Sequence, residues 1–264
     1  IMSILRTDKI AGLDSVNAIT GSVFFGRGGT SAVASGNWLT VQSDSDFKFG
    51  TGDFTIEYWF YFTGVSGSNS GCFQLSNTPG GLNNSNTAAD GGLALNFENG
   101  CVKRIGNNGW FTGTNSVAVE TWNHVALVRY SGTLQIFTNG VADTSASDSN
   151  DYSLTHLAIG GYYTTSYLFN GYISNFRICK GHAVYKGAFT PPTRQLTVHF
   201  NSPGDETVLL CCQSSQDPTQ EATTSKNISI RKVNSNDADP LVSTFTPDVG
   251  NDHTHGTVLE GGTA

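Results

Sequence analysis

The chain has 264 residues, 13% of them charged, with 31 Gly, 7 Pro and a single Met. Long helices draw on Ala, Leu, Glu, Lys and Met, whereas Gly, Ser and Asn punctuate turns, so this inventory argues against a helical bundle or a doubly wound α/β enzyme. Of the formal charge of −7, residues 201–264 contribute −6, from 9 acids and 3 bases; no basic surface is left to neutralise phosphates, which argues against nucleic acid as a partner.

In chain order, residues 1–19 show neither strand nor helix period and read as an N-terminal arm. Arg6, Asp8, Lys9 and Asp14 speak against a cleaved secretory signal, and the longest aromatic-aliphatic run, 58–62, is far too short to cross a bilayer, so no membrane insertion is expected. Strands are expected at 20–25 and 37–42. Across 53–62, Phe54, Ile56, Tyr58, Phe60 and Phe62 share one face while Thr55, Glu57, Trp59 and Tyr61 take the other. After a strand at 71–76, Asn99-Gly100 joins 93–98 to 101–105 and Ser131-Gly132 joins 122–130 to 134–137, both as hairpins. Further strands are expected at 156–160, 167–179, 194–200, 206–213 and 226–233, with one helix-like scrap at 182–185 too short to matter. Residues 234–264, rich in Asn, Asp, Thr, Gly and Pro, read as an acidic C-terminal tail. The fold class is all-β: one two-sheet antiparallel sandwich over 20–233, flanked by arm and tail.

The five cysteines are odd in number and sparse, which fits a reduced protein assembled in a cytoplasm. Adjacent Cys211 and Cys212 are expected on opposite faces of a strand, where they cannot easily chelate one metal.

Five stretches in order resemble the concanavalin A-like lectin/glucanase superfamily, especially its laminin-G-like branch. They are Gly21-Ser-Val-Phe-Phe25, Phe49-Gly-Thr-Gly-Asp-Phe-Thr-Ile-Glu-Tyr-Trp59, Trp122-Asn-His-Val-Ala-Leu-Val-Arg129, Leu134-Gln-Ile-Phe-Thr-Asn-Gly140 and Phe169-Asn-Gly-Tyr-Ile-Ser-Asn-Phe-Arg-Ile178. The following Gly181-His-Ala-Val-Tyr185 and Phe189-Thr-Pro-Pro192 are similar to the variant of bacteriophage virion proteins. The resemblance implies a jelly roll with Trp59 and Trp122 buried at the core and Gly171 permitting a bulge. It further implies a virion component, on capsid or tail, assembled in the host cytoplasm in multiple copies or as a homo-oligomer. The alternative it leaves open is a carbohydrate-active enzyme or free lectin.

The chemistry-bearing residues are thin. Glucanases of this superfamily carry an E-x-D-x-x-E strand, and retaining hydrolysis needs two carboxyls about 5 Å apart. Here the six Glu never fall within ten residues of one another, and Glu57, paired at best with Asp53, is expected on a solvated or interface-facing strand surface. No enzyme is therefore expected. Asp252-His253-Thr-His255 reads as polar tail rather than metal ligand, and His124 as a hydrogen-bonded structural imidazole. No cofactor is required, although the laminin-G resemblance implies calcium on loop carboxylates, and Asp148 with Asp151 is the densest such cluster. Sugar binding needs exposed aromatic faces beside amides. Two segments, read as loops, qualify: Asn107, Asn108 and Trp110, and Tyr162, Tyr163 and Tyr167. Both a cell-surface glycan and a subunit contact remain open for them.

Overall fold

The computed structural model describes residues 21–26, 35–63, 70–84, 92–106, 109–198, 200–202, 205–223 and 226–247, with backbone alone at 103–106, 109–110 and 200–202. The arm at 1–19 and the histidines of 252–255 lie outside the described residues. The strands are β1 (Ser22–Phe25), β2 (Asn37–Val41), β3 (Phe54–Phe62), β4 (Ser70–Ser76), β5 (Leu93–Glu98) and β6 (Cys101–Gly106). They continue as β7 (Gly109–Thr112), β8 (Trp122–Tyr130), β9 (Thr133–Thr138), β10 (Val141–Ser147), β11 (His156–Ile159) and β12 (Gly161–Tyr162). The last are β13 (Thr164–Leu168), β14 (Gly171–Lys180), β15 (Phe200–Ser202), β16 (Asp205–Cys211), β17 (Ile228–Lys232) and β18 (Leu241–Ser243).

Two antiparallel sheets face each other, as the sequence leads one to expect. The nine-stranded sheet runs β10-β9-β8-β3-β14-β1-β18, with β16 on β14 and β15 on β16; the seven-stranded sheet runs β17-β2-β11-β4-β5-β6-β7. Period-two alternation decides what lies between them. Phe54, Ile56, Tyr58, Phe60 and Phe62 of β3 meet Leu39, Phe73, Leu75, Leu95, Phe97 and Leu157 from the other sheet in one buried cluster. Phe97 stands 4.7 Å from Phe62 and 6.1 Å from Phe60, ring centre to ring centre, so aromatic contacts bridge the two layers. Three turns use the left-handed pair a type I′ hairpin requires: Asn99-Gly100 (φ 53 and 77), Ser131-Gly132 (48 and 75) and Asn139-Gly140 (51 and 76).

Several expectations are corrected. Trp59 is buried but belongs with Thr55, Glu57 and Tyr61 to the outer face of the nine-stranded sheet, where its ring meets His124 at 5.2 Å. Trp122 is half-buried on that same outer face against Tyr61 and Phe245, outside the inter-sheet core. No strand forms at 194–198, and the short helix is a 3-10 turn at Ser45–Phe47, not 182–185. Against β3 the register of β14 shifts between Ser174 and Arg177, at left-handed Asn175 (φ 53), and against β16 between Ile178 and Cys179, rather than at Gly171. The boundary read at 233 falls inside the structure. Beyond it, Asp237 accepts from the Gly36 N–H at 3.0 Å, Ala238 O accepts from Asn37, β18 pairs with β1, and Phe245 packs among Tyr61, Trp122 and Tyr172. Leu241-Val242 and Phe245 are the apolar residues that a solvated tail has no use for; here they extend the sandwich.

Candidate functional site

Each sheet has an outer face, and a segment outside that sheet lies on each. On the nine-stranded sheet the cover is residues 181–198. Tyr185 and Phe189 stack there with centroids 3.5 Å apart and planes 6° apart, and Phe189 sits on His124 (5.7 Å) and Phe137 (5.5 Å). Beneath this strap lies Glu57, fully buried by the chain's own residues, which corrects the solvated or interface-facing surface expected for it. One of its oxygens accepts from Arg177 through Nε (2.8 Å) and Nη2; the other accepts from Tyr185 Oη at 2.7 Å and lies 3.2 Å from His124 Nε2. Burial alone would raise the Glu57 pKa, but the His124 hydrogen bond, the Arg177 charge and the Tyr185 hydroxyl outweigh it and hold the carboxyl at about 2. Burial and the adjacent carboxylate push the Tyr185 phenol the other way, well up. His124 is the hydrogen-bonded imidazole read from sequence. Asp53, the other half of the expected pair, accepts the Ser131 N–H at 2.9 Å in the β8–β9 turn.

On the seven-stranded sheet the cover is the hairpin β12–β13, which the sequence presents as a loop. Beneath it Ala158 of β11 stands opposite Gln74 of β4, and Gln74 opposite Ala94 of β5; in backbone register the same row continues to Ile105 of β6 and Trp110 of β7. The two alanines leave the row shallow, and Gly71 lets the hairpin approach, since a Cβ there would lie 2.4 Å from the Tyr162 nitrogen. Tyr162 is buried on Ala94, while Tyr163 and Tyr167 pack over it only partly buried, with centroids 5.3–6.2 Å apart among the three rings. Gln74 ties the cover down: its Oε1 accepts from the Tyr163 N–H (2.8 Å) and the Asn83 N–H (3.0 Å), and its Nε2 donates to Asn83 O at 2.8 Å. Tyr163 itself is left-handed, φ 63, a conformation that disfavours an aromatic L-residue by about 1–2 kcal/mol.

The two segments singled out for sugar binding thus converge on one sheet. Trp110 occupies strand β7 rather than a loop, two strands along the row from Ala94, a span of about 10 Å at ordinary strand spacing. Asn107 and Asn108 lie outside the described residues. Tyr162 serves as support for Tyr163 and Tyr167. Gln74 and Ala94 went unnoticed in the sequence; the available signal was an amide inside the otherwise apolar Cys72-Phe-Gln-Leu75 run.

Calcium does not fit the cluster named for it. Asp148 is buried, its carboxylate receives Asn150 and the Tyr152 hydroxyl (3.0 Å), and Arg129 Nη1 stands 3.5 Å away as its counter-charge. Arg129 is fully buried, donates to the carbonyls of Gly50, Gly52 and Asn150, and lies about 5 Å from the ring centres of Phe54 and Tyr152. A cation at Asp148 would face that guanidinium, and Asp151 is exposed. Among the described residues, no three His, Cys, Asp or Glu converge as a ligand set.

A laminin-G family model, described as concanavalin A-like lectin/glucanases superfamily, matches residues 32–183. The chain belongs to this superfamily. No curated protein sequence matches it. Among solved structures, a Bacteroides ovatus protein assigned provisionally to carbohydrate binding aligns with a TM-score of 0.51 and 15% identity, covering 85% of this chain and 62% of its own. This chain therefore spans less than two thirds of that protein. Domains LG4-5 of the mouse laminin α1 chain align at TM-score 0.42 and 17% identity, covering 65% of this chain and 47% of theirs. CBM40 of the Ruminococcus gnavus IT-sialidase, bound to α2,3-sialyllactose, aligns at 0.41 and 14%, covering 66% and 95%. These likenesses are of fold.

Proposed function

We propose that this chain is a non-catalytic, lectin-like module that binds glycan on the outer face of its seven-stranded sheet. The observation that carries the reading is Tyr163. An aromatic residue is held in a left-handed backbone by the Gln74 amide and left partly exposed beside Tyr167 on a buried Tyr162. Backbone strain that persists because its surroundings impose it clusters at binding sites, and mutually tilted, partly exposed aromatic rings suit the apolar face of a sugar. The reading as non-enzymatic is supported by Glu57, whose oxygens are taken up by Arg177, His124 and Tyr185, with no second acid beside it among the described residues. The test is a glycan array with the intact chain, followed by titration calorimetry on Tyr163→Ala and Tyr167→Ala. Array binding that both variants lose supports the reading; array binding that both retain moves the site elsewhere. Hydrolysis of any bound glycan would refute the non-catalytic part.

The finer proposal is display on a bacteriophage virion, in several copies, with residues 1–19 among the attachments to capsid or tail. It rests on the resemblance of Gly181-His-Ala-Val-Tyr185 and Phe189-Thr-Pro-Pro192 to virion proteins. Quantifying the chain in purified particles, with and without 1–19, tests it. Full incorporation without the arm would locate the attachment on the sandwich.

A further inference from the structure

We propose that Cys211 and Cys212 form a vicinal dithiol that closes reversibly to a disulfide, a modification site at the end of β16. Adjacent side chains within a strand point to opposite faces, which is how the sequence presents this pair. The structure overturns that. β16 ends at Cys211, and Cys212 takes a left-handed backbone, φ 59, that turns its side chain back toward its neighbour. The two sulfurs stand 3.9 Å apart, both residues 1% exposed and in the main core cluster. Glycine or asparagine is the ordinary occupant of that conformation, so a cysteine there is held by what surrounds it. Asn175, the left-handed bulge residue of β14, donates its N–H to Cys212 O at 3.2 Å, and its Oδ1 accepts from Gln213 Nε2 (2.7 Å) and the Leu196 N–H (2.9 Å). The bulge and the turn lock one another, and the lock presents sulfur to sulfur.

Closure brings the sulfurs to about 2.05 Å, a movement of about 2 Å shared between two side-chain rotations. Consecutive Cα atoms across a trans peptide lie about 3.8 Å apart, shorter than the usual span of about 4.4–6.8 Å, so the eight-membered ring is strained and belongs with the labile, readily reduced disulfides. The oxidant is a low-molecular-weight disulfide such as oxidised glutathione. One thiolate attacks it, forming a mixed disulfide and releasing one thiol; the second thiolate attacks the mixed disulfide and releases the other. The pair gives up two protons and two electrons, and one oxidant disulfide becomes two thiols. Leu210 on one side of the pair, and Gln213 and Ser214 on the other, line a polar cleft of about 280 Å³ with Gln216 and Glu221, which brings solvent close to the buried sulfurs. Burial pushes the Cys211 thiol well above its ordinary range, which makes the exchange slow.

The test takes the intact, fully reduced chain to equilibrium in glutathione buffers of increasing oxidising ratio. The samples are alkylated after unfolding, digested and weighed. Two of the five thiols are expected to disappear together, in one peptide spanning 211–212 that is lighter by two hydrogens and carries no glutathione. Dithiothreitol should restore both, and phenylarsine oxide added to the reduced chain should protect the same two. Cys72, Cys101 and Cys179 should stay open to alkylation, and a Cys212→Ser variant should show no paired loss. Should that variant fail to fold, the mapping on the unmutated chain decides. Cysteines 211 and 212 alkylated at every ratio, a different pair lost, or a glutathione adduct persisting on one of them overturns the proposal.

Discussion

The two outer faces of the sandwich are both covered, and the covers do opposite things. Under the 181–198 strap, the groups that look most reactive in the sequence are consumed by one another: Glu57 by Arg177, His124 and Tyr185, and the ring of His124 by Trp59 and Phe189. On the opposite face, the polar group lies beneath and the aromatics on top. Gln74 is spent on the backbone of Tyr163 and Asn83, while the rings of Tyr163 and Tyr167 remain partly open. A strongly shifted carboxylate is a common mark of an active site, but here it belongs to the closed face. Accessible aromatic surface on a strained backbone is the better pointer.

Breaking the closed face should have the largest effect. Arg177→Met strands a buried carboxylate among His124 and Tyr185, and removing one partner of such a pair costs about 3–5 kcal/mol. The double variant Glu57→Gln with Arg177→Met should recover part of that loss, because no unpaired charge remains. Urea unfolding of the three chains checks it; equal losses in the single and double variants would mean the strap is held by its rings alone. Acid should probe the same contact. The folded Glu57 pKa is depressed from 4.5 to about 2, so its contribution is complete above the unfolded value and is lost as pH falls through the window between the two. Melting temperature in the unmutated chain should therefore drop more steeply below pH 4.5 than in Glu57→Gln.

How much of this was legible follows from the range of each interaction. Alternation in β3 assigned Phe54 through Phe62 to the core and Glu57 to the other face, because the side-chain period is a local property of the strand. The sequence held no means of seeing that the outer face is itself covered, since Arg177 and Tyr185 stand more than a hundred residues from Glu57. The tyrosines were visible as an aromatic cluster, but their alignment with Trp110 is a matter of register through four strands. Cys212 departs from the sequence pattern because a single positive φ at a strand end breaks the alternation that pattern assumes.

The C-terminal extension bears on the closed face and gives the next largest effect. Phe245 packs 4.8–5.4 Å from the ring centres of Tyr61, Trp122 and Tyr172, and β18 supplies the neighbour of β1. A chain ending at 233 loses that strand and ring, and should melt lower while keeping its β-sheet circular dichroism. Phe245→Ala alone, in a half-buried place, should cost about 2 kcal/mol, below the usual range for a fully buried Phe. A loss under about 0.5 kcal/mol would return 234–247 to the status of a solvated tail.

The open face should yield the smallest change in stability. Tyr167→Ala removes one partly buried ring from a three-ring cluster whose base, Tyr162 on Ala94, stays in place. An aromatic pair is worth about 0.5–1.5 kcal/mol beyond its buried area, so the loss should stay near that scale and well under the Arg177 effect. Tyr163→Asn goes further toward zero. Asparagine accepts the left-handed backbone more readily, so relief of that strain offsets the missing ring. The two variants should therefore rank Tyr163→Asn above Tyr167→Ala in melting temperature, although both remove an aromatic face. If Tyr163 melts as the costlier loss, its ring is packed rather than displayed, and the strain at φ 63 serves the fold. If Tyr163→Asn keeps the melting temperature and loses an array-identified glycan by tenfold or more, that strain serves the ligand, and the contrast between the two faces becomes one of function.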